Sequence, residues 1–305
     1  MAEKRYVAGV DLGGTKIAAG VFDHEGRLAG EIATAPTAAG ETEAITLANL
    51  RGAIEAACRS AGGSLDQLRA VGVGSTGPVE ASTGRILQVP NLASLNFFDL
   101  GAWVRAEFAA PLFLENDANC FALGEALRGG GRGHPVVVAV TLGTGFGCGI
   151  VIDGAMYSGV TGNAGEVADC PIAGGTFDSM LSGGGMRKFY ERRWGPTALS
   201  ARELGDAAEA GDERARAAWQ DYGGAVGEAL GMIAAVIDPS VCVVGGSVAE
   251  RLPLFEGALL QKMRACLAPA AAERLRVAPA ELGSAAGVIG AAEYAFYRLR
   301  SVARD

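Results

Sequence analysis

The run VAGVDLGGTKIAAGVFD, Val7–Asp23, is followed 130 positions later by VVAVTLGTGFGCGIVID, Val137–Asp153, and the two are alike along their length. Val7/Val137, Val10/Val140, Leu12/Leu142, Gly13/Gly143, Val21/Val151 and Asp23/Asp153 are identical, and most other pairs keep their apolar or small character. In each copy two apolar runs flank closely spaced glycines, which reads as strand, tight turn, strand. Self-similarity at that distance in a chain of 305 residues predicts an internal duplication, with two α/β domains each opening on a glycine hairpin. Such hairpins are expected to face one another across a cleft, presenting bare backbone amides where side chains would otherwise intrude.

Outward from the first hairpin, Asp23–Gly26 is a turn signal and Arg27–Thr34 a third strand, giving an antiparallel meander. Glu41–Arg59 places Ala44, Leu47, Ile54 and Ala57 at helical spacing, and Ala70–Gly74 reads as a buried strand. Leu112–Leu114 is a strand ending in Glu115-Asn116-Asp117, followed by the helix-like ANCFALGEAL. Val241–Val244 reads as a buried parallel strand, with Gly245-Gly246-Ser247 opening the next helix.

The 26 Lys and Arg against 34 Asp and Glu give a net charge of −8, which argues against a protein that binds nucleic acid by neutralising phosphates. No segment has the apolar length of a signal peptide or a membrane span, so a cytoplasmic protein is expected. The six cysteines lack any C-x-x-C, as expected of reduced, mostly buried thiols. Two histidines, His24 and His134, leave little room for a Ser-His-Asp or multi-His mechanism.

Glycine hairpins suit phosphate because they let backbone N–H groups approach oxygen closely. Asp11-Leu12-Gly13-Gly14-Thr15-Lys16 offers amides, a hydroxyl, a cation and a carboxylate able to hold hydrated Mg²⁺. Thr141-Leu142-Gly143-Thr144-Gly145 offers a second set without the carboxylate. A P-loop is excluded, because Thr15 stands where its lysine should be and a strand follows instead of a helix. The Gly143–Gly149 run likewise lacks the G-x-G-x-x-G and helix of a dinucleotide fold.

DLGGTK at Asp11–Lys16, LENDANC at Leu114–Cys120, TLGTGFGCGI at Thr141–Ile150, GNAGE at Gly162–Glu166 and DPSVCVVGGSVAE at Asp238–Glu250 together resemble the ROK family of sugar kinases and repressors, within the actin-like ATPase superfamily. The resemblance runs in order over nearly the whole chain. It implies an α/β fold of two duplicated actin-like (ribonuclease H-like) domains flanking a nucleotide and sugar cleft, one over 1–117 plus 291–305 and the other over 118–290. It also implies ATP-dependent phosphorylation of a hexose, with Mg²⁺, and glucose is the first expectation. Fructose, mannose or an N-acetylated hexosamine are the alternatives.

By that resemblance Asp117 is the catalytic base, although its position alone suits a helix cap. Asn91, Asn116, Glu166 and Asp178 contact the sugar, and Asp11 holds Mg²⁺ through water. Gly13, Gly14, Thr15, Lys16, Thr141, Gly143, Thr144 and Gly145 hold phosphates. Gly245 and Gly246 hold adenosine and the α-phosphate, with Ser182–Gly185 beside the ribose. ATP is preferred to polyphosphate as donor because no basic channel stands out, and the resemblance allows a homodimer.

The chain departs from the family in two places. Thr76, in Gly74–Pro78, stands where relatives commonly have proline, which should loosen that loop. Ala164–Gly185 lacks the histidine and cysteines with which many relatives bind structural zinc, having Asp169 and only Cys170; no zinc is expected, since one thiol and one carboxylate do not complete a tetrahedral site. Hydrophobic packing should order that segment, with Asp178 replacing the family's final glutamate. Two rivals are a sugar-responsive repressor, which needs a DNA-binding domain before the hairpin that begins at Tyr6, and a non-catalytic sugar-binding regulator, which would be expected to lose Asp117 or a phosphate loop.

Overall fold

A computed structural model describes residues 3–302; the outermost positions of the expected first domain, 1–2 and 303–305, lie outside the described residues. The chain begins with β1 (Tyr6–Leu12), β2 (Lys16–Phe22) and β3 (Ala33–Pro36), followed by α1 (Glu43–Ser60), β4 (Leu68–Ser75), α2 (Leu100–Phe108), β5 (Leu112–Asn116) and α3 (Asp117–Arg128). Next come β6 (Val136–Leu142), β7 (Phe146–Ile152), β8 (Ala155–Met156), α4 (Phe177–Leu181), α5 (Gly183–Trp194), α6 (Ala201–Glu209) and α7 (Glu213–Ile237). The last are β9 (Val241–Gly245), α8 (Leu252–Ala265), α9 (Pro269–Arg274), β10 (Arg276–Pro279) and α10 (Ala286–Val302).

These form two five-stranded sheets of one topology, ordered β3-β2-β1-β4-β5 and β8-β7-β6-β9-β10. In both, the opening hairpin is antiparallel and the strands added beyond its first member are parallel. The duplication expected from the glycine hairpins is therefore present in the strand order itself.

The hairpins are not superimposable residue for residue. Leu12 pairs with Ile17, but Leu142 pairs with Phe146, so the first turn spans Gly13–Lys16 and the second only Gly143–Gly145. The offset is 130 along the leading strands and one less along the returning ones. By pairing, the counterpart of Val21 is Ile150, so the Val21/Val151 and Asp23/Asp153 identities are not structural equivalences. A residue lost from a turn slides the returning strand by one position and reverses which face each side chain takes.

The third strand of the meander also starts later than expected, at Ala33; within Arg27–Thr34, Leu28 makes only an isolated bridge to Phe22. Asp23 Oδ1 accepts hydrogen bonds from the N–H groups of Glu25 and Arg27, which keeps this stretch turned.

Contacts divide the chain into two compact units, one up to Gly124 and resuming at Ser284, the other Glu125–Gly283. The first boundary falls inside α3 and the second just before α10 begins at Ala286, each seven residues from the expected 117/118 and 290/291. In the first unit α10 lies directly on β1 and β4. A Cβ at Gly9 would stand 2.1 Å from the Val288 carbonyl oxygen, and one at Gly72 2.0 Å from that of Ala291, so only glycine permits this approach. In the second unit α7 packs on α8, with the Trp219 and Phe255 rings stacked at 5.6 Å and the Tyr222 hydroxyl donating to the Leu181 carbonyl at 2.7 Å. Among the described residues no helix is long and apolar enough to cross a membrane.

Candidate active site

In the first unit the parallel register sets Asp11 beside Gly74, Gly74 beside Glu115, and Ser75 beside Asn116, so β1, β4 and β5 bring their carboxyl ends to one edge. Asp117, the first residue of α3, follows at that edge. The cap of α3 is Asn116, whose Oδ1 accepts from the N–H groups of Ala118 at 2.8 Å and Asn119 at 3.3 Å. Asp117 Oδ1 accepts from the N–H of Ala118 at 2.8 Å, and the Asp117 carboxylate also accepts from its own backbone N–H, so the Asn119 N–H is left to Asn116. The Asn116 amide nitrogen stands where a Cβ of Gly77 would be, 2.9 Å away.

Both acids of this edge are held above the ordinary carboxylate range. Asp11 is pushed up to about 6 by burial first and by the charge of Asp117 second, with Lys16 acting in the opposite direction. Asp117 is raised chiefly by burial, partly offset by its backbone hydrogen bond to Ala118. Beneath them Glu115 accepts from the Asn119 side-chain amide and the Asn116 N–H at 3.0 and 2.9 Å, and burial pushes the Cys120 thiol well up.

The first turn is closed by the Gly13 N–H donating to the Lys16 carbonyl at 3.1 Å. Buried Thr37 clamps it, its hydroxyl donating to the Gly13 carbonyl at 2.6 Å and its N–H to the Thr15 carbonyl at 2.9 Å. Gly14 abuts Asn91, whose carbonyl oxygen would lie 2.7 Å from a Cβ there. The loop at Thr76 is not loosened as expected. The Thr76 N–H, which proline would lack, donates to the Leu12 carbonyl at 3.2 Å.

In the second unit the Gly143 N–H donates to the Gly145 carbonyl at 3.0 Å, and the Gly183 N–H to the Gly143 carbonyl at 2.8 Å. This joins the second turn to the start of α5, capped by Ser182. Asp178, expected at the sugar, has Oδ1 engaged by the Phe146 N–H at 2.9 Å, and that atom blocks a Cβ at Gly145 at 2.8 Å. Glu166 is exposed, four residues before Cys170, which is also exposed. The interval between Glu166 and Asp178 is ordered by buried Ile172 and Phe177, as expected. A two-residue ladder (Pro171–Ile172 with Gly175–Thr176) and a reciprocal Thr176–Ser179 capping box add to it.

A cavity of about 630 Å³ lies against this turn, lined by Gly143, Thr144, Gly183, Gly184, Ser247 and Val248. Gly246 (φ 91°) instead packs under the turn, where a Cβ would meet the Leu142 carbonyl at 2.4 Å, and Gly245 is buried in β9. Nor does Gly245-Gly246-Ser247 open a helix directly, for a 3₁₀ turn over Ala249–Arg251 precedes α8. The helix starts at the cavity are those of α5, at Gly183 and Gly184, and of α6, at Ser200–Arg202. Arg187, Ser200, Arg202, Trp219, Glu250 and Arg251 complete the lining and were not singled out from the sequence. The only local signal among them was Ser200-Ala201-Arg202-Glu203, a capping-box pattern marking the start of α6.

Two sheets of this order, each opening on a glycine hairpin, define the actin-like ATPase fold. The chain belongs to the ROK family, whose model matches residues 7–297. It is similar to the ROK hexokinase of Thermus thermophilus, with 34% identity, TM-score 0.82 and 97% of this chain and 99% of that one covered. It is also similar to a ROK family glucokinase from Streptomyces griseus solved with glucose and AMPPNP, with 30% identity, TM-score 0.76 and coverage of 94% and 98%. An N-acetyl-D-glucosamine kinase of Citrobacter koseri is 33% identical, with 93% of this chain and 97% of the relative covered.

Proposed function

We propose that this ROK protein is an ATP-dependent sugar kinase that transfers the γ-phosphoryl group to a hexose hydroxyl, with the 6-hydroxyl of glucose as leading acceptor. The observation that carries the reading is Asp117, a half-buried carboxylate held above its usual range at the end of β5, whose capping role is taken by Asn116. Asp117 receives the proton as the sugar hydroxyl attacks phosphorus, and its raised proton affinity suits a base acting near neutrality. Asn116 and Asn91 orient hydroxyls, with Glu166 completing the sugar contacts. Asp178 serves first to brace the second turn, leaving Oδ2 for substrate or water.

The turns Gly13–Lys16 and Gly143–Gly145 supply backbone amides to the phosphates, and Lys16 and Thr144 add a cation and a hydroxyl. Adenosine occupies the 630 Å³ cavity beside α5, with Gly245 and Gly246 leading the chain to Ser247 and Val248 in its lining and Gly246 packed under the turn. The residues fit a divalent cation, because burial and the neighbouring charge of Asp117 make ionised Asp11 costly and so favour the arrival of positive charge. Asp11 would hold Mg²⁺ through water, and the ion would supply neutralisation of phosphate charge. We assign the protein no zinc, a cytoplasmic location and no nucleic-acid partner, and we hold a homodimer as its working assembly.

An ADP-release assay with ATP and Mg²⁺ across glucose, fructose, mannose, N-acetylglucosamine and N-acetylmannosamine tests the reading and ranks the acceptors. Turnover is expected with at least one, glucose foremost. Sugar binding without ADP release would make the protein a non-catalytic sugar-binding regulator instead.

A further inference from the structure

A second cavity, of about 680 Å³, opens within the Glu125–Gly283 unit, and we propose that it binds a small phosphomonoester on a polar carbon skeleton. Arg264 near the end of α8, Arg274 closing α9 and Arg276 opening β10 all line it. Some other arginines of this protein have carboxylate partners, as Arg51 with Glu107, Arg193 with Asp221, and Arg251 with Asp206 and Glu209, and others, such as Arg69 and Arg214, show no ion pair among the described residues, so what marks these three is their convergence on one cavity. Among the described residues none of the three at the cavity has an ion pair or a side-chain hydrogen bond. The one acid in the lining, Glu273, has none either.

Three guanidinium groups against one carboxylate leave a formal +2 in the cavity wall of a chain whose net charge is −8. A phosphomonoester carries about −1.5 to −2 near neutrality, which matches that excess, and guanidinium groups bind phosphate oxygens through paired N–H donors. The volume is that of a small-molecule site and far exceeds what inorganic phosphate needs. His134, whose Nδ1 is held by the Ser240 hydroxyl at 3.2 Å, and Glu273 offer hydrogen bonds to hydroxyl groups on the remainder of the ligand.

The site is distinct from the nucleotide cavity. Val241, the first residue of β9, lines the arginine cavity, while Ser247 and Val248, which follow the other end of that strand, line the nucleotide cavity. Similarly, α8 contributes Leu260 and Arg264 near its end, and Arg251, just before its start, belongs to the nucleotide cavity. At 1.5 Å per residue the helix sets Leu260 roughly 13 Å and Arg264 roughly 20 Å along its axis from Arg251.

Calorimetric titration of the full chain, saturated with glucose and AMPPNP, separates this site from substrate positions. Glucose 6-phosphate and inorganic phosphate are the two probes. One additional binding event is expected, about tenfold tighter for the ester than for inorganic phosphate. Arg264→Ala/Arg276→Ala should weaken it by about tenfold or more while leaving kcat in phosphate-free buffer unchanged, because the lost contacts are charge-assisted. Arg274→Gln, a milder exposed change, should reproduce the direction. No event beyond the substrate sites, or one indifferent to these substitutions, overturns the proposal; equal affinity for both probes overturns the assigned ligand class. The inference does not rest on the kinase reading, since loss of turnover with every sugar would leave the arginine-dependent binding intact.

Discussion

The first turn, Gly13–Lys16, follows a strand that carries Asp11, whereas the second, Gly143–Gly145, follows one with Thr141 at the matching position. The first is braced from outside its hairpin by Thr37 and pressed by Asn91; the second is braced by Asp178 and by the amide of Gly183. Thus one copy of a duplicated motif gathers ionisable groups at its edge, and the other presents amides and hydroxyls beside a cavity. The strand pair is the shared part, and the chemistry depends on what the rest of each unit places against the turn. We read the acidic copy as the place where charge and proton are handled and the neutral copy as the holder of the nucleotide.

The largest expected effect breaks that division at its acidic member. Asp117→Asn should lower kcat by about 10²- to 10⁴-fold, the usual range for a lost general base, with sugar affinity within about threefold of the parent. Steady-state kinetics with calorimetric sugar binding checks both, and a kcat within tenfold of the parent would remove Asp117 from the role of base. The parent's kcat/KM should also fall as the pH drops through about 6, where Asp11 takes up its proton, and Asp117, raised by burial, adds to the fall above the ordinary carboxylate range.

Asp11 gives the next effect, with a sign opposite to most active-site changes. Its folded-state pKa of about 6 exceeds the ordinary aspartate value of 3.8, so between those values the folded chain binds more protons than the unfolded one. Stability therefore falls as pH rises through that window, and ionised Asp11 costs up to about 3 kcal/mol above it. Asp11→Asn should melt higher than the parent at pH 7.5 in metal-free buffer and equally at pH 3.5, while losing activity. Equal melting at both pH values would show that the carboxylate is not strained by its surroundings.

Much of this comparison was legible in the sequence. Glycines at turns, an acid at the end of an apolar strand and a repeated apolar pattern are local signals, and they located both hairpins, the strand of Asp117 and the buried strand at Val241. What escaped depends on packing between distant segments. The one-residue difference between the turns is invisible to a gap-free offset, because identities such as Val21/Val151 arise where the pairing has already slipped. Trp219 reads as an ordinary core aromatic on α7, and only the fold sets it at the cavity beside α5. The partner of Asp178 is likewise set by the pairing of β7, which no local pattern around Asp178 records.

A steric contrast sharpens the comparison further. In Gly14→Ala the new methyl would stand 2.7 Å from the Asn91 carbonyl, so the turn or the Asn91 segment must move, at about 1–3 kcal/mol. In Gly143→Ala it would meet nothing closer than the Ser247 hydroxyl at 4.0 Å. The first change should raise the sugar KM by roughly tenfold through displaced Asn91, and the second should melt like the parent and alter the nucleotide KM alone. Identical effects on both constants would mean that the turns are not specialised.

The smallest effect isolates the brace. Thr37→Val keeps the shape and the backbone N–H that donates to Thr15, but removes the hydroxyl that donates to the Gly13 carbonyl. One buried acceptor is then left unpaired, which costs about 1–3 kcal/mol at most and is concentrated in the first turn. Because Thr37 reaches the phosphate turn only through the carbonyls of Gly13 and Thr15, the loss should fall on the precision of the Gly13 and Gly14 amides. We expect a several-fold drop in kcat with little change in sugar KM, largely restored in Thr37→Ser. A rise in nucleotide KM to match that of a second-turn variant would instead show that the two turns act as one unit, and the division drawn between them would not hold.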